Sequence, residues 1–230
     1  MTYNTMNRMG GECMKEKIKD FMENRIKNII SELEKLYKEP RCGLDWEGDP
    51  YRLLIMSILS AQCTDARVNI VAKTLFSRFP TVYDMAKAEL DEIEKEIRSV
   101  GLYRSKARAL KECSLRVCEA FSGKVPSEMK DLLSLRGVGR KVANLLRGDI
   151  YGLGGIVADT HCIRISNRLG LAEGNDPLKT ERALSKLIPL DKQSDFCHRI
   201  VLFGREVCTA RSPKCDGCVL NKYCDFYQKV

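Results

Sequence analysis

Histidine is scarce in this chain of 230 residues: His161 and His198 are the two it has. That count alone excludes a multi-histidine zinc centre. Long apolar runs are missing as well. Leu53–Met56, continued after Ser57 by Ile58 and Leu59, falls far short of the roughly 18 residues a membrane span needs, so no membrane association is expected. The N-terminus shows no apolar stretch followed by a small-residue cleavage site, and residues 1–40 mix seven acidic with eight basic side chains. Neither a secretory signal nor a transit peptide is expected, and the reading is cytoplasmic. No stretch alternates at strand period, and no repeat or low-complexity tract stands out.

What is present is a globular composition, 44% apolar and 30% charged, in a length that suits one or two domains. Eleven cysteines without a secretory signal point to reduced thiols, a metal site or both rather than a disulfide scaffold. The net charge is +8, and residues 101–170 carry 13 Lys or Arg against six Asp or Glu. Nearly the whole excess therefore sits in under a third of the chain. This is either a solvated helical surface or a polyanion-binding face that releases counterions when it neutralises phosphates.

The apolar periodicity is helical almost throughout. Ile18, Phe21, Met22, Ile26, Ile29, Ile30, Leu33, Leu36 and Tyr37 recur at the spacing of one helix face. Asp49-Pro50 supplies an N-cap and an N1 proline for an apolar helix reaching about Gln62, and Asp65 reads as the cap of the next. Further helices are expected over 81–87, 90–99, 105–121, 127–135, 141–151, 160–169, 178–187 and 194–206, separated by glycine and proline stops. The fold class is all-α.

Three groups of residues carry chemistry. In Leu132-Leu133-Ser134-Leu135-Arg136-Gly137-Val138-Gly139-Arg140-Lys141 a short helix enters a two-glycine turn and a second helix leaves it. Gly137 and Gly139 permit positive φ and remove side chains, so backbone N–H groups at the helix start can meet a phosphate, with Arg140 beside them. Lys141 stands at the end of its helix that repels an ammonium, next to Arg140, an arrangement expected to depress its pKa toward that of a lysine nucleophile. A phosphate-contacting lysine of ordinary pKa is the alternative. Asp159, in Ile156-Val157-Ala158-Asp159-Thr160-His161, sits where an N-cap belongs, which leaves its second oxygen to face a cationic centre. Cys208, Cys215, Cys218 and Cys224 fall within 17 residues as C-x6-C-x2-C-x5-C. Their unequal gaps suit the corners of a [4Fe–4S] cluster better than the paired hooks of a zinc site, which stays the alternative. The loop between the first two also presents Arg211 and Lys214.

With these motifs stand Leu59-Ser60-Ala61-Gln62 and Gly101-Leu102-Tyr103-Arg104-Ser105-Lys106-Ala107. From about Glu23 to the C-terminus the chain resembles the endonuclease III family of helix-hairpin-helix DNA glycosylases. The resemblance implies two helical domains with a catalytic cleft between them. A sequential six-helix domain would span 43–153, and a cluster domain would combine residues of 1–42, beyond an unmatched extension, with 154–230. It implies that Lys141 is the nucleophile that attacks C1′, expels the base and nicks the strand through a Schiff base, and that Asp159 stabilises positive charge on the sugar. Gln62 would fill the vacated stack and Leu102 would wedge the opposite side; an ordinary helix-end amide and a core side chain are the alternatives. The substrate would be double-stranded DNA bearing oxidised pyrimidines or abasic sites, bound by a monomer. Departures from the pattern are Arg136 where proline is common, Ala158 before Asp159, and Phe203 where histidine is usual. Rival readings are a non-catalytic DNA-binding module with a structural cluster, an adenine-mismatch glycosylase, and an iron–sulfur electron carrier.

Overall fold

The computed structural model describes residues 12–229, and residues 1–11 of the unmatched extension lie outside it, as does Val230. Among the described residues there are eleven α-helices, three short 3-10 turns and no strand, as the periodicity requires. In chain order the helices are α1 Glu12–Leu36, α2 Pro50–Leu59, α3 Asp65–Arg78, α4 Val82–Lys87, α5 Leu90–Glu96 and α6 Tyr103–Phe121, then α7 Met129–Leu133, α8 Arg140–Tyr151, α9 Thr160–Arg168, α10 Pro177–Leu187 and α11 Gln193–Glu206. No helix among the described residues is long and apolar enough to cross a membrane.

The chain divides into two compact units. One is Cys42–Leu153; the other joins Gly154–Val230 to the segment ending at Arg41. In the first, α2 is the central rod. Leu53, Leu54, Ile55, Met56, Ile58 and Leu59 are all buried, so the helix is apolar all round and other helices must surround it. Helices α3, α6 and α8 pack against it. Each such Leu, Ile or Met contributes about 1.5–3 kcal/mol by leaving water.

Local chemistry sets where these helices begin. The Asp49 carboxylate accepts from the Tyr51 N–H at 2.9 Å, and Pro50 takes the first position, where its missing N–H costs nothing. Thr64, not Asp65, caps α3: its hydroxyl accepts from the Arg67 N–H, and Asp65 occupies the first helical position. There its charge still favours the helix start. Thr81 and Asp84 form a reciprocal capping box on α4, and the Thr81 hydroxyl and N–H, both donating to the Asp84 carboxylate, hold it below its ordinary pKa. Helix α2 ends at Leu59, three residues short of expectation, because Gln62 takes φ 54°.

The second unit is discontinuous in sequence. Met22, Ile26, Ile29, Ile30 and Leu33 of α1 are buried with Ile156, Ile165, Leu184, Phe196, Ile200 and Phe203. Phe21 and Leu36, expected on the same stripe, are 38% and 43% exposed. Polar ties add to the packing. Arg25 donates to the Tyr223 carbonyl and to Asp225, Arg199 to the Tyr37 carbonyl at 3.0 Å, and the Tyr37 hydroxyl to Glu206 at 2.9 Å. Phe203 is 1% exposed, so the ring that departs from the family pattern is a core side chain.

Candidate functional site

The hairpin between α7 and α8 is fixed from beneath. Leu135 and Val138 are buried, at 2% and 6% exposure, and the Val138 N–H donates to the Leu135 carbonyl at 3.1 Å. Its two glycines differ. Gly137 has φ 82°, and a Cβ there would lie 3.1 Å from Ile58 and 3.3 Å from Ala109, so the protein's own packing requires it. Gly139 is extended, at φ −94° and ψ 177°, so of the two glycines Gly137 alone uses the positive φ that both permit. A Cβ on Gly139 would meet nothing within 4 Å. Nothing inside this unit demands glycine there.

Gly139 is the N-cap of α8 and provides no side-chain hydrogen bond to it. The first N–H groups of a helix have no partner within the helix, and here they emerge beside Arg140 and Lys141, both exposed. Arg136 is exposed too, its guanidinium 3.9 Å from Glu112. The surface is a cationic turn with backbone donors at its centre.

Two further turns in the same unit bring Gln62 and Leu102 to the surface. Both are non-glycine residues in the left-handed region, at φ 54° and φ 60°, a conformation that costs about 1–3 kcal/mol each. Leu102 is 65% exposed, which removes the alternative that it is a core side chain. Gln62 is exposed as well, and it lies beyond α2 rather than on its last turn. A Cβ on Gly101 would lie 4.0 Å from the Gln62 carbonyl oxygen, so the two turns run side by side.

Asp159 belongs to the other unit. It caps α9: Oδ1 accepts from the Cys162 N–H at 2.7 Å, and the half-buried side chain keeps a second oxygen. Cys162 and Cys197 are buried beneath it, with the Val157 N–H donating to Cys197 Sγ at 3.2 Å. Burial lowers the pKa of His161, and the Asp159 charge acts against that. Gly204 lets α11 approach this region, for a Cβ there would come within 2.4 Å of His161 Nδ1.

Cys208, Cys215, Cys218 and Cys224 line one cavity with Ile165, Leu169, Phe203, Val207 and Leu220. Among the described residues no three ligating side chains converge as they do around a single ion. Four thiols around one apolar hollow are the donor set an iron–sulfur cluster takes. Sequence reading missed what holds this loop. Arg168 of α9 donates to Cys208 Sγ at 3.2 Å and to the Thr209 and Ala210 carbonyls at 2.7 and 3.0 Å. Its guanidinium lies 4.8 Å from the centre of the Phe226 ring. Arg164 donates to the Cys208 carbonyl at 2.9 Å. Arg211 and Lys214 are exposed on the loop.

A helical array with a glycine hairpin and a four-cysteine loop defines a helix-hairpin-helix DNA repair protein. In agreement, the family model for the HhH-GPD superfamily base excision DNA repair protein matches residues 55–190, and the iron-sulfur binding domain of endonuclease III matches 208–224. The endonuclease III of Synechocystis is 43% identical over 203 residues, covering 88% of this chain and 92% of its own length. That of Bacillus subtilis is 37% identical over 206 residues, covering 89% and 94%. A solved structure described as a trapped endonuclease III–DNA covalent intermediate is similar with a TM-score of 0.83 at 39% identity, covering 90% of this chain and 97% of that one. The chain belongs to the endonuclease III family. Its activity is that of a base excision repair enzyme, a DNA glycosylase with AP lyase activity, and its cofactor is a [4Fe–4S] cluster.

Proposed function

We propose that Lys141 is the nucleophile of this enzyme, that Asp159 is its electrostatic partner, and that the substrate is duplex DNA carrying an oxidised pyrimidine or an abasic site. The observation that carries the reading is the α8 N-terminus: an extended glycine with open space around it, no side-chain cap, and Lys141 exposed in the first turn. A phosphate seated on those N–H groups, with Gly139 and Arg140 alongside, would fix the sugar-phosphate chain and bring deoxyribose within reach of the amine.

The neutral Lys141 Nζ adds to C1′ while the bond from C1′ to the base breaks, and the base leaves with the bonding electrons and takes up a proton. Nζ then gives up one proton, the C1′–O4′ bond breaks with its electrons and a proton going to O4′, and the protonated imine forms. Removal of a proton from C2′ then expels the 3′ phosphate, which nicks the strand. Positive charge on the sugar is greatest as the base departs, and a carboxylate at Asp159 matters most at that moment.

The target nucleotide must leave the stack, at a cost of a few kcal/mol. Gln62 fills the vacated position and Leu102 enters from the other side. Cys208, Cys215, Cys218 and Cys224 would hold the cluster, and the loop they tie down would set Arg211 and Lys214 against the DNA backbone. The protein acts as a cytoplasmic, nucleoid-associated monomer.

The test uses duplexes carrying single lesions, assayed separately for excision and nicking, with borohydride added to a parallel set. A thymine glycol duplex should be both excised and nicked and should yield a covalent adduct. Excision with no adduct would remove the lysine mechanism, and binding without excision would leave a DNA clamp.

A further inference from the structure

The geometry points to Lys106 as the residue that positions Gln62 and Leu102 relative to each other, a role that rests on reading those two as the side chains that enter the duplex. Lys106 is 5% exposed, and charged lysines are almost never buried without a reason. Its ammonium donates to the Leu59 carbonyl at 2.8 Å and to the Ala61 carbonyl at 2.6 Å. These oxygens lie at the C-terminus of α2 and in the turn beyond it, immediately before Gln62. Its backbone N–H donates to the Leu102 carbonyl at 3.0 Å. One residue therefore holds the backbone on both sides, by its side chain in one turn and by its main chain in the other.

Space-filling alone would not select lysine here. Burial works against the ammonium and lowers its pKa, and a methionine would occupy similar room without that cost. What the charge adds is a pair of directed, charge-assisted bonds to helix-end carbonyls. They act where the chain leaves α2 for a left-handed residue, one that persists only when its surroundings over-determine it. Lys106 touches neither the base nor the sugar; it acts through the two tips.

A double-mutant cycle tests this. Duplexes carrying 2-aminopurine beside a stable abasic analogue report unstacking by fluorescence, and lesion duplexes report kcat/KM. With Gln62 and Leu102 intact, Lys106→Met should lower kcat/KM about tenfold and reduce the fluorescence rise; in the Gln62→Ala, Leu102→Ala background the same change should have less than about a twofold effect, because residues acting as one unit are non-additive. Equal losses in both backgrounds, or no loss in either, overturn the proposal. If the Gln62→Ala, Leu102→Ala protein itself unstacks and cuts like the parent, the reading of the tips falls, and the role of Lys106 with it. Lys106→Gln, which keeps N–H donors without the charge, carries the same cycle if Lys106→Met does not fold.

Discussion

The hairpin at Gly137–Lys141 and the loop at Cys208–Cys224 both carry cations to the surface, yet they are held in opposite ways. The hairpin stands on Leu135 and Val138, buried in a core that includes Ile58, Leu132 and Leu146. Between Cys208 and Cys224 the buried apolar side chain is Leu220, and the loop depends instead on Arg164, Arg168 and its four thiols. A turn with its own core is shaped before any ligand arrives. A loop with so little core of its own rests on those polar ties, and with the cluster on the four thiols, as proposed, its folding is coupled to the cofactor.

The largest expected effect lies at the hairpin. Lys141→Gln should lower excision and nicking by about three orders of magnitude or more while leaving Tm and damaged-DNA binding nearly unchanged, since the side chain is exposed and unnecessary to the core. Retained nicking would contradict it. Asp159→Asn should slow turnover about a hundredfold, read as kcat in single-lesion assays. Its amide oxygen can still accept from the Cys162 N–H, so thermal unfolding should show a stability change within about 0.5 kcal/mol. An unchanged rate would leave Asp159 only its cap.

The next effect separates the two regions directly. Cys218→Ser should abolish the visible iron–sulfur absorbance and weaken duplex binding about tenfold. Hydrogen exchange should quicken across 208–224 and stay the same across 132–144. Quickened exchange at the hairpin would break the comparison. The smallest effect divides the hairpin itself. Gly137→Ala should cost about 1–3 kcal/mol in denaturant unfolding, because its φ is 82° and the added Cβ meets Ile58. Gly139→Ala should change stability by less than about 0.5 kcal/mol yet weaken DNA binding several-fold, measured by titration at fixed salt.

How far the sequence carries this account depends on whether the signal is local. Asp49-Pro50 and Asp159 are caps where the residue order places caps, because capping is settled within three residues. The all-α class follows from periodicity, and C-x6-C-x2-C-x5-C marks the cluster loop without help from the fold. Asp65 misled because Thr64, its neighbour, competes for the same bond. The helix starting at Tyr103 rather than residue 105 misled because Leu102 is a left-handed N-cap with no side-chain bond to announce it. Lys106, Arg168 and Arg25 were out of reach for a different reason. Their partners lie 47, 40 and 198 residues away, and no window along the chain brings them together.

The most direct measurement is to locate the covalent bond. Abasic-site DNA trapped with borohydride on the wild-type protein, then digested with protease and nuclease, should leave the deoxyribose remnant on Lys141 and on no other lysine. A remnant on the N-terminal amine or on another lysine, or a failure to trap any adduct while nicking proceeds, would contradict the account.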